Sequence, residues 1–333
     1  MKRIFAAVLA LACFASCNKA EIIEQTAPVA ISFENPFIEN ATLTRSEYDP
    51  STTTATLQNF TVYAFMDQPS GVVFNQEPVT KNGEKWNTAT TQYWFTGHEY
   101  HFAALAGNGW SVDTKDATTN GAAGSVTFIN TNGKDDLLYA WASVSTKNIT
   151  EITATNPGPV NFTFNHLLSK VKFAFTNAFT NPSTSVVVKN IQMTVPKQGT
   201  INLGMENWME GDNWNTTSEN ITLNFGDVVV PIYPDTKNAE SHNELLTIPT
   251  GEGEKEYTYN ITFTVELYQG GIIAGTYDHT VAVKGVKLEI GHAYKFKTEL
   301  SGSNINPDAA LQPITFSVSS IKGWEEGNDQ NIK

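Results

Sequence analysis

The chain is 333 residues long, 40% hydrophobic and only 17% charged, which excludes global disorder and leaves ample apolar material for burial. Its length exceeds most single cores, so two domains are expected. A formal net charge of −13 excludes a nucleic-acid binder, because phosphate contacts need clustered Lys and Arg.

Seven Trp, 19 Phe and 11 Tyr stand among many Thr, Val and Ile, a composition of strands rather than helices. The chain opens like a targeting segment. Lys2 and Arg3 form a basic start, and Ile4 to Leu11 an apolar run too short to span a bilayer. Phe14-Ala15-Ser16-Cys17 looks like a bacterial lipobox, with Phe14 in place of the usual Leu. Residues 1–16 are therefore expected to be a lipoprotein signal peptide, and Cys17 the acylated (palmitate-bearing) residue. Cys13 and Cys17 are the only cysteines, so the mature protein is left without a disulfide, a thiol nucleophile or a Cys-held metal.

Residues 17–45 read as a tether and a first strand. Between residues 28 and 37, Val29, Ile31 and Phe33 fall on one face of a half-buried strand. The loop Thr42-Leu43-Thr44-Arg45-Ser46 follows, and Arg45 is the only Arg beyond residue 3. Residues 46–159 then read as short strands between turns. Phe60, Val62, Ala64 and Met66 alternate, and Pro69-Ser70-Gly71 and Asn82-Gly83 mark turns. Pro157-Gly158-Pro159 breaks the chain, which places a domain boundary there.

The second unit, 160–333, opens on Asn161 to Phe175. Phe162 and Phe164 share one parity; Leu167, Val171, Phe173 and Phe175 share the other. Side chains alternate with period two, so this switch predicts a bulge or a passage from one sheet to another. Val186 to Val195 reads as a strand, and Gly204 to Thr217 as irregular. Tyr257 to Leu267 and Tyr277 to Val283 alternate around Gly270-Gly271, a hairpin.

Several short patterns, in order, carry a resemblance. They are Tyr93-Trp94-Phe95 with Tyr100 to Ala106, Asp135 to Ala140, His166-Leu167-Leu168-Ser169-Lys170-Val171, Gly291-His292-Ala293-Tyr294-Lys295-Phe296, and Ile314-Thr315-Phe316-Ser317-Val318 before Trp324. Together they resemble the fimbrillins, the type V pilin subunits of Bacteroidales. The resemblance implies an all-β chain of two transthyretin-like β-sandwich domains in tandem. It also implies a lipid-anchored outer-membrane precursor that a trypsin-like protease cuts after Arg45, making Ser46 the first mature residue. Removing residues 1–45 takes away four basic and four acidic side chains, so the charge stays at −13.

The expected partners are other pilin subunits. Loss of the strand bearing Val29, Ile31 and Phe33 would open an apolar groove and a sheet edge that templates strand addition. Ile314, Phe316 and Val318 repeat its spacing, so a neighbour's copy is the candidate donor strand. Three such side chains reburied at ~2 kcal/mol each, with a row of main-chain hydrogen bonds, would make a long-lived joint. Beyond Trp324 the tail is polar and offers only Ile332, so the tail itself is not the donor.

Catalytic patterns are missing from the sequence, and no enzyme, cofactor or metal is expected. In Gly97-His98-Glu99-Tyr100-His101 the histidines are three apart in a strand context, whereas a zincin needs them four apart on a helix. His166 and His292 read as packed or hydrogen-bonded strand residues. A competing reading is a monomeric lipid-anchored glycan binder, with Trp208 and Trp214 stacking on sugars. The alternative for these two Trp is a plug at the end of the β-core. A hydrolase is a third reading.

Overall fold

The computed structural model describes residues 27–39, 50–67, 71–113, 124–203, 214–232, 238–250, 257–308, 312–322 and 330–332. Among them there is no helix, and none long and apolar enough to cross a membrane. The protein is all-β, as its composition predicts.

The first strands in chain order are β1 (Phe37–Ile38), β2 (Asn59–Met66), β3 (Gly71–Asn82), β4 (Lys85–Thr88), β5 (Glu99–Gly107), β6 (Trp110–Asp113), β7 (Gly124–Ile129), β8 (Leu137–Ser145) and β9 (Thr163–His166). Then come β10 (Ser169–Asn177), β11 (Thr184–Pro196), β12 (Gln198–Leu203), β13 (Asn215–Thr216), β14 (Asn220–Val230), β15 (Ala239–Glu240) and β16 (Leu245–Thr247). The last are β17 (Thr258–Gln269), β18 (Ile272–Lys284), β19 (His292–Leu300), β20 (Ser317–Lys322) and β21 (Gln330–Ile332).

They form four sheets. A seven-stranded sheet runs β1-β9-β8-β5-β2-β3-β4, and a four-stranded one runs β13-β12-β7-β6. A six-stranded sheet runs β15-β10-β19-β20-β21, with β16 also on β10, and the last runs β14-β11-β17-β18. β17 and β18 form the hairpin read from alternation. Their turn is Gly270-Gly271, with φ of +55° and +81°, backbone that only glycine adopts freely.

The stretch from Phe162 to Phe175 changes sheets between His166 and Ser169, which is what its parity switch means. Phe162 and Phe164 enter one core with Phe33, Phe60 and Phe102. Val171, Phe173 and Phe175 enter another, with Val186, Ile261 and Phe296. Leu167 and Leu168, between them, lie in a third with Tyr63, Leu105, Phe128, Tyr139, Trp214 and Leu246. This middle core joins side chains from before and after residue 160. Its backbone does the same, since β12 pairs antiparallel with β7 from Gln198–Ile129 to Leu203–Gly124.

Strand boundaries differ from the sequence reading in several places. Tyr93-Trp94-Phe95 makes an isolated bridge, Ala30 with Tyr93, rather than a strand. β20 begins at Ser317, so Ile314 and Phe316 lead into it as unpaired backbone. The polar tail returns as β21, placing Ile332 opposite Val318.

Candidate functional site

Residues 27–39 are one extended run with two partners. On one side Ile31 N–H donates to Gln92 O (2.8 Å) and Val29 O accepts from Trp94 N–H (3.0 Å), antiparallel in sense, while Phe33 bridges Trp86 of β4. On the other side Glu34, Phe37 and Glu39 N–H donate to the carbonyls of Val160, Phe162 and Phe164, and Val160 N–H donates to Ser32 O. β1 is the part of this run that pairs in parallel with β9. Since β4 and β9 lie at opposite ends of the seven-stranded sheet, the run stitches its two ends together. The sequence reading expects a single regular strand over 28–37. Its hydrogen bonds are instead divided between two neighbours, and Pro36 has no N–H to contribute.

The alternation fills the space so enclosed. Ile31 and Phe33 are 5% and 6% exposed, and Val29 is half-buried. Phe33 has ring centroids of Phe60 at 5.7 Å, Phe162 at 5.8 Å, Phe74 at 6.0 Å and Phe102 at 6.4 Å. Asn35 Oδ1 accepts from Trp86 Nε1–H at 3.0 Å. Withdrawing the run would orphan four carbonyls (Gln92, Val160, Phe162, Phe164) and two N–H groups (Trp94, Val160). Each is a lost bond of about 0.5–1.5 kcal/mol net, and more where water cannot reach it. Unpaired main-chain groups along a sheet edge are what an added extended strand bonds to in general.

The chain is fixed on both sides of the candidate cut. Upstream, Glu39 is bonded to Phe164 and Ile38 N–H donates to Thr54 Oγ1 at 3.0 Å. Downstream, Thr52 N–H donates to Asp136 Oδ2 at 2.7 Å. Asp136 also accepts from Leu137 N–H (2.9 Å) and lies 3.0 Å from His166 Nδ1, all buried. Arg45 and Ser46 fall in the span 40–49 and lie outside the described residues, as do Cys17 and Trp208.

The candidate donor residues are packed in the second core. Ile314 and Val318 are buried, and half-buried Phe316 has Phe173 at 5.7 Å and Phe263 at 6.1 Å. A groove of about 760 Å³ runs beside Pro313–Phe316, between them and Asp278–Lys284 of β18. Trp214 is in the middle core, its Nε1–H donating to Leu167 O at 3.1 Å. Its ring is thereby unavailable to a sugar. His98 Nδ1 lies 3.2 Å from Asp67 O and His101 Nδ1 lies 2.9 Å from Ser143 Oγ. His292 Nδ1 lies 2.9 Å from Ile290 O.

Two polar clusters escape the sequence reading. One is Thr52–Asp136–His166, above. The other joins β10 and β19 to the 240–244 segment. Glu244 lies 3.4 Å from Lys170 Nζ and 3.0 Å from Lys172 Nζ, with Lys170 and Glu244 both buried. Glu240 continues the chain to Lys172 (2.9 Å) and Lys295 (2.6 Å). Burial pulls the Lys172 ammonium down, but the Glu244 and Glu240 carboxylates outweigh it and leave its pKa raised. Burial likewise pushes Glu240 up, and Lys295 and Lys172 outweigh that, leaving it lowered. The only hint in sequence is the position of Lys170 and Lys172 between apolar Leu168, Val171 and Phe173.

A family model described as fimbrillin-like matches residues 44–324. The chain belongs to the fimbrillin-like family, and is thereby a structural, fimbrial or adhesion-type protein of the cell surface. No curated protein matches it. Solved structures similar in fold include a candidate cell adhesion protein from Bacteroides ovatus, 14% identical, covering 91% of this chain and 99% of its own, with a TM-score of 0.47. Another, from Bacteroides uniformis, is 16% identical, covering 90% and 99%, with a TM-score of 0.46. The fimbrial anchor protein Mfa2 from Porphyromonas gingivalis is 11% identical, covering 92% and 99%, with a TM-score of 0.38.

Proposed function

We propose that this chain is a pilus subunit joined to its neighbours by strand exchange. It is exported as a lipoprotein held in the outer membrane through Cys17, and a trypsin-like protease cuts it after Arg45. The run bearing Val29, Ile31 and Phe33 then leaves, and a second subunit's Ile314-x-Phe316-x-Val318 takes its place. The polymer so built serves adhesion. The observation that carries this reading is the position of 27–39 between both ends of the seven-stranded sheet, over a core of phenylalanines. The groove beside Pro313–Phe316 supports the choice of donor, because that segment is flanked by open space on one side.

Arg45 offers a clean test, because an arginine-specific protease meets only one site beyond residue 3. Cutting is expected to give a mature N-terminus at Ser46 by mass spectrometry, followed by ladders of oligomers that resist SDS. Arg45→Ala should give neither. Ladders appearing in that uncut variant would overturn the reading.

A further inference from the structure

Most of the large exposed apolar side chains sit at the two ends of the molecule. Nine large hydrophobic residues are exposed among the described residues: Phe37, Val72, Tyr93, Phe95, Ile129, Val229, Ile232, Ile272 and Ile273. In the first half, the junction end is marked by Gly107 opposite Leu137 and by His166 opposite Leu138, so the other end is free. Val72 lies at that free end, opposite Phe65 near the Met66–Tyr100 pair. Phe95 lies there too, its N–H donating to Tyr100 Oη and its carbonyl accepting from Thr146 Oγ1. Tyr93 stands two residues behind. In the second half, β10 and β19 start at the junction and finish at Asn177 and Leu300, the far end. Ile272 and Ile273 form the β18 end of the hairpin turn there, and Val229 of β14 and Ile232 just beyond it lie at the same end, on the opposite edge of that sheet. Seven of the nine therefore lie at opposite ends, 57% exposed at Phe95 and 74% at Ile272.

We propose that these ends are one contact: the far end of one copy, led by Ile272 and Ile273, seats on Val72, Tyr93 and Phe95 of the next copy. Chain direction fixes the same pairing. Residues 29–38 run from the free end toward the junction, parallel to β9. A replacement strand running the same way, and tied to its own body by its N-terminal side, must have that body at the free end. In the donor, β20 runs from Ser317 at the far end to Lys322 near the junction, so a released Ile314–Val318 segment hinges at the far end. The ends that strand exchange would bring together are the two that carry exposed hydrophobics. This part of the argument rests on the strand-exchange reading; the placement of the patches does not. The patch on the first half is also bordered by charge, with Lys147 bridging Asp67 (3.0 Å) and Glu99 (3.4 Å), the apolar centre and polar rim of a protein interface. The contact is heterologous, so it propagates as a filament rather than closing as a dimer.

The test uses the full chain with Cys17→Ser, so that no acyl chain drives association. Uncut wild type is expected to self-associate in sedimentation equilibrium. Phe95→Lys and Ile272→Asp should each weaken that association at least tenfold, since each buries a charge at an apolar contact. An equimolar mixture should recover much of it, because the unaltered Ile272 end of one variant meets the unaltered Phe95 patch of the other, and the Lys and Asp ends meet each other. Wild type that stays monomeric, or a mixture no stronger than either variant, would overturn the proposal. Strand exchange is read separately, from SDS-resistant ladders after cutting. Ladders with no self-association in the uncut chain sink the end contact alone. Self-association that responds to the variants, with no ladders, sustains the end contact and sinks strand exchange.

Discussion

Phe33 touches rings on β2, β3 and β5 and just ahead of β9, and so ties residues 27–39 to much of the first core. Phe33→Ala is expected to destabilise the uncut precursor by about 3–5 kcal/mol, the usual range for emptying a buried Phe site, read from urea unfolding. The same variant should leave the stability of ladders made after cutting unchanged, because residue 33 has then left. His279 gives a second check at this scale. It stacks on Phe263 at 5.1 Å, and Ile305 O lies 3.0 Å from its Nε2. Burial pushes its pKa below the ordinary 6.5, outweighing the Ile305 bond and nearby Asp278. The unfolded chain therefore takes up a proton first. His279 contributes its full stability above pH 6.5 and loses it as pH falls through the lowered folded value. Stability measured from pH 7 downward should fall less steeply in His279→Phe. The inward pattern of Val29, Ile31 and Phe33 was readable in the sequence, because period-two alternation is a local signal. The burial of Lys170 was not, because a lysine says nothing of the glutamate 74 positions away that meets it.

Among elements, β10 shows what such a buried pair is worth. Val171, Phe173 and Phe175 fill the second core from one face, while Lys170 and Lys172 on the other are answered by Glu244. Removing one partner of a buried ion pair strands the other's charge. Glu244→Ala should therefore cost about 3–5 kcal/mol of unfolding free energy. Glu244→Gln, which keeps the shape, separates the loss of charge from the loss of packing. The β17–β18 hairpin was legible, since both strands alternate and Gly270-Gly271 supplies the turn. The pairing of β7 with β12 was not. Those strands are some 70 residues apart, as Thr127 opposite Thr200 shows, and nothing local in either names the other. For the same reason the run 27–39 read as one strand of one sheet. That it closes both ends of that sheet depends on where β4 and β9 finish in space.

At the scale of the molecule, the described residues form three cores, and only the first contains a segment from before the candidate cut. The middle core holds Leu167, Leu168, Trp214 and Leu246 against Tyr63, Leu105 and Tyr139, so it does not depend on residues 27–39. Loss of that run is thus expected to open the first core while leaving the other two standing. A cut subunit would wait as a folded receptor rather than an unfolded chain. Hydrogen exchange at Trp94 and Val160 reads this, because their N–H groups bond to Val29 O and Ser32 O in the precursor. Both amides should be protected before cutting, exchange fast once residues 1–45 have been cut away, and regain protection when a peptide spanning residues 312–324 is added. Protection that survives loss of the run, or that the peptide fails to restore, would contradict a slot vacated by one strand and refilled by another.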